Sequence, residues 1–107
     1  MKVAYNACFG GFQLRSLALT ELAKLKGVDL ELVKHNTLGG GYFIDKASGK
    51  VFNEPDDRAD PDLISIVELM GDMASARWSY IRIREIPDGA EYEITSHGGL
   101  ESVELRV

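Results

Sequence analysis

Cys8, the histidines His35 and His97, and the pair Gly10-Gly11 with Asn6 and Arg15 are where this sequence offers chemistry. Cys8 falls just ahead of an expected helix. A thiol beside a helix N-terminus can have a lowered pKa and act as a nucleophile. It then needs a base, and His35 and His97 are the only histidines. No nucleophile motif with a recognisable spacing surrounds it. Free cysteine is also among the most buried residue types, and a packed, inert thiol is the plainer reading. The expectation is therefore no catalytic residue, with a Cys8-dependent hydrolase or transferase using His35 or His97 as the alternative.

Gly10-Gly11 lies between a strand ending at Asn6 and a helix opening near Arg15. Glycines let the backbone take positive φ or approach another group closely. A turn feeding a helix N-terminus aims free N–H groups and partial positive charge at one spot, which suits an anion. Arg15 adds a full charge, and the Asn6 amide supplies both donors and an acceptor. The ligand-binding candidates are thus Asn6, Gly10, Gly11 and Arg15, for a phosphate or another small anion on a nucleotide-like molecule. The plainer reading is that the glycines only permit a tight turn. The spacing matches neither G-x-G-x-x-G nor G-x-x-x-x-G-K-[ST].

The acidic stretch Glu54 to Asp62 is the one place to look for a metal. It lacks EF-hand spacing. Asp60 as N-cap, Pro61 at the first helical position and Asp62 against the dipole account for half its acids. No metal and no cofactor are expected.

The elements that must hold these residues follow from periodicity. Lys2 to Asn6 reads as a strand with Val3 and Tyr5 on one face, and Leu14 to Lys26 as a helix closed by Gly27. Its face is Ala18, Leu19, Leu22, Ala23 and Leu25. Val28 to Leu32 alternates as a second strand, which favours a right-handed crossover from the first. Gly39-Gly40-Gly41 then breaks the pattern. Tyr42-Phe43-Ile44 and Lys50-Val51-Phe52 flank a hairpin turn. A second helix is predicted from about Pro61 to Arg77, with Gly71 in its interior at a cost of ~1 kcal/mol. Tyr80 to Ile86, Glu91 to Ser96 and Leu100 to Val107 read as a meander, its first turn being Pro87-Asp88-Gly89. Arg82 and Arg84 are expected opposite Glu91 and Glu93 across that first hairpin.

With 107 residues, 45% of them apolar, the chain suits one globular domain. Its net charge of −5 argues against binding nucleic acid through phosphates, which needs a basic face. A single cysteine excludes an internal disulfide and fits a reducing compartment. No apolar run approaches the ~18 residues of a membrane span, and the N-terminus lacks the regions of a signal peptide, so a cytoplasmic location is expected.

Tyr5-Asn6-x-Cys8-x-Gly10-Gly11-Phe12-x-Leu14 resembles the YNxCxGGFxL start of a small phage and prophage protein family. Asp57-Arg58-x-Asp60-Pro61-x-Leu63-Ile64, Ile83-x-Glu85-Ile86-Pro87-Asp88 and Glu91-Tyr92-Glu93-Ile94 match in order, so the likeness covers most of the chain. Members open the first helix with serine and acids, where this chain has Arg15-Ser16-Leu17. The resemblance implies an accessory phage protein, a class that includes inhibitors and small-molecule sponges directed at host defences. It implies no catalytic residues.

The fold expected is α+β in two layers, with two helices on one face of a largely antiparallel sheet of five to seven strands. Such a sheet, covered on one face, is expected to hide surface by forming a homodimer. The function expected is non-enzymatic capture of a small anionic ligand or a host protein, with no membrane partner. A structural or assembly role is the remaining alternative.

Overall fold

The computed structural model describes residues 1–34 and 41–106. His35, Gly39, Gly40 and Val107 lie outside the described residues. The elements are β1 (Lys2–Asn6), α1 (Ser16–Lys26), β2 (Leu30–Lys34), β3 (Gly41–Asp45), α2 (Pro61–Met70), a 3₁₀ turn (Gly71–Ala74), β4 (Ile81–Glu85), β5 (Tyr92–His97) and β6 (Leu100–Leu105). The class is α+β, as expected.

The sheet differs from expectation. Among the described residues the strands form three separate antiparallel pairs, β1 with β4, β2 with β3 and β5 with β6. No single sheet links them, and β1 and β2 belong to different pairs, so the anticipated crossover is absent. The meander is broken too, because β4 pairs with β1 instead of β5. Arg82 and Arg84 therefore do not face Glu91 and Glu93. Arg82 lies 3.9 Å from Asp72, Arg84 donates to the Val103 carbonyl, and Glu93 meets Arg106 at 3.1 Å.

The reason is visible in β1. Val3 and Ala4 are adjacent and both fully buried, so this strand is covered on two faces. Ala4 packs with Leu14, Ala18, Leu22, Leu63, Val67 and Ile81 on the helical side. Val3 packs with Ile86 and Val103, joined by Tyr5, Tyr92 and Ile94, on the β5–β6 side. The β1–β4 ladder is thus a middle layer between the helices and the last hairpin, where two layers were anticipated.

Local signals place the helix ends. Asp60 Oδ1 accepts from the N–H groups of Asp62 and Leu63, and Pro61 follows. Gly27 closes α1 at φ 69°, its N–H bonding back to Ala23 and Lys24. Helix α2 is shorter than predicted: Gly71, read as interior, adopts φ 56° and ψ −131° and ends it at Met70. Beyond it Met73 is 52% exposed, and Leu25 of α1 likewise faces solvent, so Leu25 does not belong to the buried face predicted for its helix. Among the described residues, no helix is long and apolar enough to cross a membrane.

Candidate functional site

Asn6 is fully buried, and its amide is fully engaged by backbone. Nδ2 donates to the Cys8 carbonyl at 2.6 Å and to the Gly99 carbonyl at 2.8 Å. Oδ1 accepts from the Tyr80 N–H at 2.7 Å. The Asn6 N–H itself donates to Glu101 Oε1 at 2.8 Å. One side chain therefore joins the glycine loop, the β5–β6 turn and the entry to β4, and it faces the interior.

Gly10 and Gly99 serve close packing, whereas Gly11 needs glycine for its positive φ. A Cβ on Gly10 would fall 2.1 Å from the Trp78 carbonyl oxygen. Seen from the other side, a Cβ on Gly99 would fall 2.4 Å from Gly11 N and 2.6 Å from Gly10 N. Three backbone segments meet here at distances only glycine allows. Cys8 is half-buried, and its thiol donates to the neighbouring Phe9 carbonyl at 3.7 Å. His97 ends β5 opposite Leu100, exposed. No hydrogen bond joins Cys8 to His97.

Arg15 stands apart from these. It occupies the N-cap position of α1 in extended conformation, exposed, with no capping side-chain bond. Its Nε donates to the Ser75 carbonyl at 3.3 Å. The segment before α1 and the segment after the 3₁₀ turn are joined by an antiparallel bridge between Leu14 and Ser75. Arg15 N–H donates to the Ala74 carbonyl at 2.8 Å, and Ala76 N–H donates to the Gln13 carbonyl at 3.0 Å. Leu14 N–H is held by Glu54 Oε1 at 2.8 Å.

That bridge brings Arg15 next to Arg77 and Trp78. Together with Gln13, Ser16 and Ala76 they line an open groove of about 710 Å³. The groove ends on the N-terminus of α1, whose first turn contains no acid. Among the described residues neither Arg15 nor Arg77 makes an ion pair with a carboxylate. Trp78 is 65% exposed, with the Arg77 guanidinium 5.0 Å over its ring. Its backbone is fixed while its ring is exposed: Gly10 abuts its carbonyl, and Ser79 Oγ donates to the Gly11 carbonyl at 2.7 Å. The glycine pair thus acts indirectly, by seating Trp78.

An anion placed in this groove meets two guanidiniums, the positive end of a helix dipole and a hydroxyl. A flat ring meets an exposed indole. The sequence reading located Arg15 but missed Arg77 and Trp78, because it ran the second helix through Arg77. The signal that finds them is the position of Gly71, which ends the helix at Met70, seven residues early. Among the described residues no group of three or more His, Cys, Asp or Glu is placed to hold a metal ion.

No protein-family model, curated protein or solved structure matches this chain.

Proposed function

We propose that this is a non-catalytic binding protein whose Arg15–Arg77–Trp78 groove takes a small anionic ligand carrying a flat ring, in the simplest case a nucleotide. The observation that carries this reading is the Leu14–Ser75 bridge. It places two guanidiniums that have no carboxylate partner among the described residues, and one exposed indole, on the same groove, in a chain of net charge −5. The groove volume of about 710 Å³ lies in the range of small-molecule sites. Phosphate favours the bidentate geometry of arginine, and the ring of the ligand stacks on Trp78. The phage-type resemblance of the sequence suits a protein that withholds such a molecule from a host process.

Trp78 is the only tryptophan, so its fluorescence reports the groove directly. Nucleoside monophosphates are expected to quench it saturably, and the matching nucleosides far more weakly. Arg15→Ala and Arg77→Ala should each weaken binding by ~1–3 kcal/mol, the scale of a charged hydrogen bond. The reading fails if no nucleotide quenches Trp78, or if both arginine variants bind as the parent does.

A further inference from the structure

A second cavity adjoins the groove on the other side of Gln13, Leu14 and Ser16, which line both. It is a cleft of about 260 Å³ between α1 and β3, walled by the half-buried rings of Phe43 and Phe52, with Leu19 and the Glu54 carboxylate. Glu54 Oε1 is held by the Leu14 N–H, which leaves Oε2 as the acceptor available to a guest. The two cavities therefore differ in sign. Cations face the groove and a carboxylate faces the cleft, with one short ridge between them.

Resting on the binding reading above, we propose that the ligand is dinucleotide-like: two ringed nucleosides joined through phosphate. The phosphate lies against Arg15, Arg77 and the start of α1. One ring stacks on Trp78, and the other enters the Phe43–Phe52 cleft. The carboxylate repels phosphate from that cleft and accepts N–H donors, so the ring there is one with donors on its edge, as guanine has. A mononucleotide fills one cavity and leaves the other empty.

The test is a titration of the full chain with GMP, the linear dinucleotide pGpG and its adenine counterpart pApA, read by Trp78 quenching and calorimetry. The expected result is that pGpG binds at least tenfold more tightly than GMP and more tightly than pApA. Glu54→Gln keeps an acceptor for the Leu14 N–H but replaces the free oxygen with a donor. It should abolish the preference for pGpG over pApA while GMP quenching stays within twofold. Phe43→Ala, away from the ridge, should reduce pGpG binding to the mononucleotide level. Equal binding of GMP and pGpG overturns the proposal and leaves the groove reading intact, as does indifference of pGpG to both cleft variants. Absence of quenching by every nucleotide removes the groove reading and this one together.

Discussion

The Arg58 guanidinium grips the Glu101 carboxylate through both oxygens, Nη1 to Oε1 at 2.7 Å and Nη2 to Oε2 at 3.0 Å. The pair is largely buried, the Glu101 side chain being 9% exposed. Arg58 also lies 3.7 Å over the Phe12 ring, and its carbonyl accepts from the Ala4 N–H. Glu101 Oε1 accepts from the Asn6 N–H. The two residues thus close the outer edge of β1 from either end. Removing one partner of a buried pair leaves the other charge uncompensated, so Glu101→Ala is expected to cost roughly 3–5 kcal/mol in urea unfolding. A loss below about 1 kcal/mol would show that solvent reaches the pair freely.

Asn6 is expected to be as sensitive, without carrying charge. Asn6→Ala removes three side-chain hydrogen bonds and strands the Cys8 and Gly99 carbonyls and the Tyr80 N–H. At about 1–3 kcal/mol for each unsatisfied buried group, the total should reach at least ~3 kcal/mol. Thermal melts that place Asn6→Ala within a degree or two of the parent would mean that water replaces the amide.

The glycine pair separates two costs. Gly10 and Gly11 both have positive φ, 149° and 87°. Only Gly10 would also drive a Cβ into the Trp78 carbonyl, whereas a Cβ on Gly11 meets nothing within 4 Å. Gly11→Ala should cost ~1–3 kcal/mol, the scale of backbone strain alone. Gly10→Ala should cost more and shift the emission maximum of Trp78. Equal destabilisation by the two variants would count against the close approach.

Asp60 carries a pH signature. Burial pushes its carboxyl up, but the Lys26 ammonium at 2.8 Å and the N–H groups of Leu63 and Asp62 outweigh this, leaving it below its ordinary value of 3.8. A depressed carboxylate contributes stability that is present above its unfolded pKa and is lost as pH falls through the folded one. Asp60→Asn keeps the cap acceptor and removes the charge. It should cost ~0–1 kcal/mol from pH 5 to 7, and the gap to the parent should close below pH 3.8. Asp60→Ala should cost a further ~0.5–2 kcal/mol for the cap. A gap of constant size from pH 7 to pH 2 would place the effect elsewhere than in the ion pair.

What the sequence made legible was local. Asp60-Pro61 announces a helix start and Gly27 a helix stop because cap, fixed φ and left-handed backbone act within a few residues. Strand pairing was not legible. Whether β4 takes β1 or β5 as neighbour is settled by which apolar faces the helices and the last hairpin must cover, and the alternation of Ile81 to Glu85 is the same in either case. Gly71 was misread for a related reason. A glycine in an apolar periodic stretch is compatible with a continuing helix, and only the turn of the chain toward Ser75 shows that it ends there.

The candidate site was legible in one residue. Arg15 was found from its place at a helix start. Asn6, Gly10 and Gly11 have the residue types of a ligand loop, yet Asn6 is buried and joins three segments, while the two glycines seat the Trp78–Ser79 backbone. Arg77 and Trp78 reach the groove through the bridge between Leu14 and Ser75, some 60 positions apart. No local pattern encodes that meeting.

The pairing of β1 with β4 also bears on synthesis. Lys2 finds its partner at Glu85 and Asn6 finds its own at Ile81. At ~5–20 residues per second, the first strand waits roughly 4–16 s on the ribosome before its ladder can exist. Over that interval Val3, Ala4 and Tyr5 have neither sheet partner nor complete core, while α1 and its capping glycine are already made. The β1–β4 ladder therefore closes only after α1, the β2–β3 pair and α2 have all been made, and β1 waits far longer for its partner than β2 does.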